Sequence, residues 1–301
     1  MLHGVINIYK EPGFTSHDVV AKLRGICKQK KIGHTGTLDP AATGVLPVCL
    51  GAATKLCDFL TEKQKEYVAH MCLGITTDTQ DSTGTVLTKQ EVEVEPAKVE
   101  EVMASFVGPY EQLPPMYSAL KVNGQKLYDL ARQGVEVERK TRPVEILELE
   151  ILGMALPEVV FRAKVSKGTY IRTLCHDIGQ ALGCGAVMTE LERTKSGSFT
   201  KETAFTLAEV ESMRDAETLE SHILPIDQVL QEFEPIQIQP MAQKLLDNGN
   251  PIPIELLDRK ESLEDGKNYR IYGKENCFYG VYCYAKEEQR IRPVKMFFMT
   301  E

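Results

Sequence analysis

The densest motif in the chain is Gly33-His34-Thr35-Gly36-Thr37-Leu38-Asp39-Pro40-Ala41-Ala42-Thr43-Gly44-Val45-Leu46-Pro47. Three glycines and two prolines within these fifteen residues hold the backbone in unusual conformations, and such loops place polar groups accurately. Taken by itself, Asp39-Pro40 is a common turn and His34 an ordinary surface residue. The glycine spacing matches neither a P-loop nor a dinucleotide-binding loop. The loop therefore marks a candidate site without naming its chemistry.

The pattern around this loop predicts a mixed α/β protein in which strands often follow one another directly. A helix capped by Thr15 or Ser16 is expected to run to about Cys27, and Leu191 fits the core of an ordinary helix. Consecutive strands favour a mixed, mainly antiparallel sheet flanked by helices, which is an α+β fold class. The predicted strands are 4–10, 65–74, 86–94, 143–152 and 159–165, and the predicted helices are 96–106 and 169–182.

The C-terminal part differs in charge and in the spacing of its apolar residues. Residues 205–232 are acidic and have helical spacing, whereas 269–273, 278–284 and 294–298 are short β-like runs. We therefore expect two domains, residues 1–232 and a small β domain over residues 233–301.

The formal net charge of −8 is unusual for a protein that binds nucleic acid. The charge is uneven, however. Residues 162–201 hold seven Lys+Arg against three Asp+Glu, and residues 202–268 hold five against fifteen. Because polyanion binding depends on the field within about 8–10 Å at physiological salt, the global sign does not exclude RNA. We expect one basic face and one acidic face.

Several classes of protein are disfavoured by composition. The eight cysteines form no Cys-x-x-Cys pair and lie beside no His cluster, so we expect reduced thiols rather than a metal site or a disulfide framework. We find no signal peptide and no apolar run long enough for a membrane span. These observations favour a cytoplasmic protein.

Six ordered blocks resemble the TruB family, the tRNA pseudouridine-55 synthases. The blocks are 10–20 (KEPGFTSHDVV), 33–55 around Asp39, Lys65-Glu66-Tyr67, 114–121 (PPMYSALK), 166–174 (SKGTYIRTL) and 191–197 (LERTKSG). The resemblance implies the pseudouridine synthase fold, and less sharply a barrel-like PUA domain for the C-terminal part.

The resemblance also implies roles for individual residues. Asp39 matches the family's essential aspartate, acting as nucleophile or base, and Arg172 matches its cationic partner. Tyr67 matches the tyrosine that stacks on the target base and is placed to help with the C5 proton. Tyr170 and Leu191 match positions lining the uracil pocket. His34 matches the residue that fills the gap left by the flipped base.

The implied reaction isomerises uridine in the T-loop of tRNA at position 55. It oxidises nothing and consumes no energy-rich donor, so no cofactor or metal is expected. We expect the tRNA T-stem-loop as partner, no membrane, no required protein partner, and a monomer.

Three other interpretations of the function compete with this one. Guide-RNA-directed synthases share these blocks, although the early first motif and the lack of basic tails favour a stand-alone enzyme. A non-catalytic RNA-binding factor would be expected to have lost Asp39, Tyr67 or Arg172. A carboxylate glycosidase needs a second carboxylate near Asp39, and the loop supplies none.

Overall fold

The computed structural model describes residues 1–118, 120–122, 124–258 and 263–297. The strands of the N-terminal part are β1 (Gly4–Lys10), β2 (Ile32–His34), β3 (Thr43–Leu50), β4 (Lys65–Leu73), β5 (Ile75–Thr77), β6 (Val86–Lys89), β7 (Gly108–Gln112), β8 (Lys121–Val122), β9 (Gln125–Lys126), β10 (Arg142–Ala155), β11 (Glu158–Val165), β12 (Ala186–Ser196) and β13 (Phe199–Thr200). Its helices are α1 (Ser16–Ile26), α2 (Cys57–Thr61), α3 (Pro96–Ser105), α4 (Leu127–Arg132), α5 (Ile171–Ala181), α6 (Leu207–Asp215) and α7 (Ile226–Val229). The C-terminal part comprises β14 (Glu234–Ile238), α8 (Gln243–Asp247), β15 (Ile252–Pro253), β16 (Leu257–Asp258), β17 (Asn268–Tyr272), β18 (Phe278–Ala285) and β19 (Arg290–Met296).

The large sheet has the order β1-β3-β12-β4-β11-β10-β7, with β2 paired to β3 and β13 to β12. The pairing of β12 with β3 is parallel, and the other pairings in this sheet are antiparallel. The α+β class with a mixed, mainly antiparallel sheet is therefore confirmed. Among the described residues, no helix is long and apolar enough to cross a membrane.

Strand register brings four positions together on one face of this sheet. Lys10 pairs with Gly44, Gly44 pairs with Arg193, and Arg193 pairs with Tyr67. Directly paired residues point to the same face, so four separate strands contribute to one surface. Apolar side chains of α1 and α5 pack against this face, and the candidate site lies in the space between them.

Three local expectations need correction or refinement. Leu191 lies in β12, where it pairs with Ala69, and not in a helix. The strand expected over 86–94 ends at Lys89, because its partner β5 is only three residues long and its four side chains are all exposed. The N-cap of α1 is Thr15, whose hydroxyl accepts the Asp18 N–H, rather than Ser16.

The C-terminal strands form a six-stranded barrel-like sheet in the order β15-β19-β18-β17-β14-β16. Tyr269, Tyr282 and Ile291 are wholly buried in its core. The outer surface of this sheet packs on the N-terminal part, where Val281 and Phe297 share a cluster with residues of β1 and β3. Position 298, the end of the last predicted β-run, lies outside the described residues.

Candidate active site

A cavity of about 600 Å³ opens where residues 36–39 meet β4, β12 and the start of α5. Its volume suits a ligand the size of one nucleotide. Five of the six predicted site residues line it, together with several side chains that had no predicted role. The predicted ones are Asp39, Tyr67, Tyr170, Arg172 and Leu191, and the others include Lys65, Met188 and Arg193.

Asp39 and Arg172 form an ion pair in this cavity. Arg172 Nη2 lies 3.0 Å from Asp39 Oδ2 and 3.2 Å from Oδ1. The arginine side chain is only 6% exposed, whereas that of Asp39 is 38% exposed and so remains open to the cavity. Arg172 Nη2 also donates to the Tyr117 carbonyl at 2.8 Å. The guanidinium is thus held in place while the carboxylate can reach a ligand.

A second carboxylate, Asp81, lies on the other side of Arg172, with its Oδ2 3.7 Å from Nη1. Thr79 and Thr83 donate hydrogen bonds to its other oxygen. The turn carrying it docks on β12, since Ser82 N–H donates to the Met188 carbonyl and Met188 N–H to the Gln80 carbonyl. The loop itself supplies no second carboxylate, as expected, and the fold brings Asp81 to the site from elsewhere in the chain.

Asp81 was missed because it lies outside any apolar periodicity. The dense polar run Asp78-Thr79-Gln80-Asp81-Ser82-Thr83-Gly84 was the available signal, since it resembles the first loop in texture.

Two buried cations and one hydroxyl hold the Asp39 loop. Lys10 Nζ donates to the Pro40 carbonyl at 3.1 Å and to the Phe14 carbonyl at 2.7 Å. Arg193 donates from Nε to the Val45 carbonyl and from Nη2 to that of Gly36, so it ties both ends of the loop to β12. Ser16 Oγ accepts the Leu38 N–H at 2.9 Å. These bonds satisfy backbone carbonyls and one N–H that a buried loop would otherwise leave unpaired.

Gly44 is required by the approach of β3 to β12. Its φ of 106° lies in the left-handed region, and a Cβ there would come within 2.2 Å of the Arg193 carbonyl oxygen. No other residue fits, because the clash is with backbone. The close approach is what lets the Arg193 side chain reach across the loop.

The start of α5 is fixed by a buried amide. Gln112 accepts the Tyr170 N–H at 2.8 Å and donates to the Tyr170 carbonyl at 3.0 Å. Tyr170 is the N-cap of α5, so Gln112 orients the tyrosine and the first turn that carries Arg172. Neither contact was visible in the sequence, because the two residues are separated by 58 positions.

His34 is the predicted residue that the cavity does not include. It ends β2, its ring packs edge-on against His17 at 5.4 Å, and its Nδ1 accepts the Gly36 N–H. Burial, with His17 and Arg193 nearby, lowers the pKa of His34 to about 4. The imidazole is therefore neutral at physiological pH, two residues from the cavity wall.

Burial shifts the acid–base properties of the site. It raises the pKa of Asp39 above its usual value, and the positive charge of Arg172 opposes that rise. Burial also lowers the pKa of Lys10 and of Lys65 to about 8 each. Among the described residues, no group of three or more His, Cys, Asp or Glu side chains is arranged to hold a metal ion. All eight cysteines are free thiols.

Two family descriptions match the chain. "TruB family pseudouridylate synthase (N terminal domain)" matches residues 24–171, and "tRNA pseudouridylate synthase B C-terminal domain" matches residues 172–231. The second match begins at Arg172 in the first turn of α5, within the large-sheet part.

Curated relatives cover nearly the whole chain. A tRNA pseudouridine synthase B from Lachnoclostridium phytofermentans is 50% identical, covering 98% of this chain and 100% of its own. One from Clostridium acetobutylicum is 45% identical, covering 93% and 95% respectively.

Solved structures share the fold. A Cbf5-Nop10-Gar1 complex contains a chain 30% identical, with a TM-score of 0.76, covering 98% of this chain and 85% of that one. An H/ACA RNP bound to a substrate RNA containing 2′-deoxyuridine contains one 28% identical, with a TM-score of 0.75, covering 99% and 86%.

Proposed function

Because this chain belongs to the TruB family of pseudouridylate synthases, we propose that it isomerises uridine to pseudouridine in tRNA, at position 55 of the T-loop. The observation that carries the proposal is the open carboxylate of Asp39, paired with buried Arg172 in a cavity of nucleotide size. Curated relatives of the same length act on tRNA by name, which supports tRNA as the substrate class.

The target uridine must leave its stack to reach Asp39, at a cost of a few kcal/mol. Its base then enters the cavity, where Tyr67 stacks on one side and Tyr170 and Leu191 complete the walls. His34, beside the cavity, braces the gap in the RNA as a neutral ring.

The reaction breaks the N1–C1′ bond, turns the uracil and joins C5 to C1′. The C5 proton is lost and N1 gains one, so no electrons are transferred and no cofactor is needed. The ionised Asp39 serves either as nucleophile at C1′ or as base at C2′, and both routes require a carboxylate that is partly desolvated yet still charged. Arg172 meets that requirement because its charge opposes the effect of burial on the Asp39 pKa.

Tyr67 assists the final proton transfer in this proposal. The residue is 9% exposed and shares the sheet face of Arg193, which supports a position at the cavity. A phenol close to C5 can assist removal of the proton once the new C–C bond has formed.

We further propose that residues 233–301 form a PUA-like RNA-binding domain attached to a catalytic domain of residues 1–232. The contacts between the two parts are direct: Lys55 Nζ donates to the Met296 carbonyl at 2.7 Å, and Phe59 packs edge-on against Phe233. Such contacts attach the C-terminal sheet to residues 51–61, which follow β3. We propose a cytoplasmic enzyme that acts as a monomer.

One solved relative belongs to a Cbf5-Nop10-Gar1 complex and another to an H/ACA RNP bound to a substrate RNA, which makes a guided enzyme the second candidate. Purified protein is incubated with unmodified tRNA transcript, and pseudouridine is mapped by sequencing. In the absence of added protein or guide RNA, we expect modification at one position, in the T-loop. A protein inert until partners are supplied would contradict the stand-alone assignment, and modification elsewhere would contradict the site.

A further inference from the structure

Arg142, the first residue of β10, lines the catalytic cavity. Its partner in β7 is Gln112, whose side chain bonds the backbone of Tyr170, another residue of the cavity wall. Directly paired residues point to the same face of a sheet, so the Arg142 side chain leaves the sheet on the side where Tyr170 lies. Arg142 is exposed, whereas Arg172 is buried, so Arg142 lies at the mouth of the cavity.

The sheet face that carries Arg142 also carries Tyr67. Ile146 lies four residues after Arg142 and pairs with Val165. Ala163, two residues before Val165, pairs with Tyr67. Because side chains alternate along a strand and no bulge interrupts these two stretches, all of these side chains lie on one face. Arg142 therefore stands on the face on which we propose that the uracil stacks.

Arg142 differs from the other cations of the cavity in having no protein partner. Among the described residues, five cationic side chains line the cavity. Four of them, Lys65, Lys167, Arg172 and Arg193, bond to backbone carbonyls or to carboxylates such as Asp39 and Glu62. The fifth, Arg142, makes no side-chain hydrogen bond or ion pair within the described part of the chain. Its guanidinium is therefore free to meet a ligand.

The group that an RNA substrate brings to this place is a phosphate. When the base of a flipped nucleotide occupies the interior of the cavity, the phosphates on either side of it stay at the mouth. A guanidinium can donate to two phosphate oxygens at once, which suits Arg142 to such a contact. The charge acts on the site itself: burial raises the pKa of Tyr170, and the nearby charges of Arg172 and Arg142 oppose that rise.

We propose that Arg142 binds a phosphate adjacent to the flipped uridine, at the mouth of the catalytic cavity. The contact holds the ribose against Asp39 once the base has left its stack. Because the ligand is a phosphodiester and not a base edge, the contact does not depend on the RNA sequence. This inference rests on the proposed function, because it assumes an RNA substrate.

The test combines Arg142→Gln with single neutral linkages in the RNA. T-stem-loop RNAs carry one methylphosphonate on the 5′ or the 3′ side of the target uridine, with a 2′-deoxy sugar before it to prevent strand cleavage. Phosphodiester RNAs with the same deoxy sugar are the reference, and Kd is measured in an Asp39→Asn background. With Arg142 present, we expect one of the two neutral linkages to raise Kd roughly tenfold. Arg142→Gln should bind the reference roughly tenfold more weakly and lose nothing further on that linkage.

Two further variants separate this contact from a general loss of charge or of structure. Lys140→Gln is the matched control, because Lys140 is exposed, lies two residues earlier and is not part of the cavity wall. It should keep the full effect of the neutral linkage. Arg142→Lys keeps the charge and should recover part of the effect, which a misfolded protein could not do.

Salt dependence provides a second readout. We expect the slope of the logarithm of RNA affinity against the logarithm of salt concentration to be shallower by about 0.7 in Arg142→Gln, as for one lost phosphate contact. Equal sensitivity to both neutral linkages with and without Arg142 would overturn the inference, as would an unchanged Kd for Arg142→Gln. Absence of pseudouridine formation by the unaltered protein, with the linkage effect intact, would instead count against the proposed function.

Discussion

Arg172 Nη2 lies within 3.2 Å of both carboxylate oxygens of Asp39. The arginine is buried and the aspartate is partly open, so the pair is asymmetric: one partner is fixed and the other faces the cavity. The charge of Arg172 is what keeps the pKa of Asp39 from rising further in its desolvated position.

Replacing Arg172 should therefore impair chemistry more than binding. We expect Arg172→Met to lower kcat by roughly a hundredfold or more, with Arg172→Lys losing less because it keeps the charge. Without the guanidinium, the Asp39 pKa rises, so the acidic limb of the kcat–pH profile moves to higher pH. Equal losses in kcat and in tRNA affinity would point to a phosphate contact instead.

Tyr67 combines a ring and a hydroxyl that can be separated by mutation. Tyr67→Phe keeps the stacking ring, so we expect KM to change little while kcat falls by roughly 10²-fold or more. Tyr67→Leu removes both and should raise KM as well. Single-turnover assays with C5-tritiated tRNA distinguish the two variants. A Tyr67→Phe enzyme with wild-type kcat would exclude a role for the hydroxyl.

His34 is expected to act as a neutral wedge. Because its pKa is lowered to about 4, it stays uncharged across the pH range in which tRNA is stable. We expect His34→Phe to bind tRNA within about threefold of wild type and His34→Ala to bind roughly tenfold more weakly. The ratio of wild-type to His34→Phe affinity should be the same at pH 5.5 and 7.5. A ratio that grows at the lower pH would show a charged histidine.

Lys10, which holds the Asp39 loop, should make the stability of the protein increase with pH. Its pKa falls from 10.5 unfolded to about 8 in the folded protein. Between those values the unfolded chain holds a proton that the folded chain lacks, so wild-type stability gains up to about 1.4 kcal/mol per pH unit from this group. The free energy of unfolding, measured by urea denaturation from pH 8 to 10, should rise less steeply for Lys10→Met than for wild type. The exposed Lys30→Met is the control, and parallel curves for wild type and Lys10→Met would contradict the burial argument.

The sequence predicted elements well where local pattern and packing agree. Strand Gly4–Lys10 and helix Pro96–Ser105 follow the expected bounds closely. The strand is buried on both faces, and the helix buries one apolar face. Leu191 was misread because Thr189 and Arg193, two positions away on either side, are polar and break the alternation expected of a strand. The strand there is set by pairing with β4, which is distant in the chain.

The candidate site was predictable only in part. Asp39, Tyr67, Tyr170 and Leu191 share one cavity, as their blocks implied, although their roles remain proposals. Asp81, Lys10 and Arg193 could not be assigned, because each acts through a contact made by the fold and not by its neighbours. Lysine and arginine are seldom fully buried in proteins, so a sequence pattern assigns Lys10 and Arg193 to the surface.

The most direct test of the account is tritium release from C5-labelled uridine in tRNA by Asp39→Asn, measured with tRNA affinity on the same preparation. We predict no detectable release and a Kd within about tenfold of wild type, because the amide keeps the shape of the carboxylate but can serve neither as nucleophile nor as base. Substantial turnover by Asp39→Asn would contradict the central claim that this carboxylate performs the chemistry.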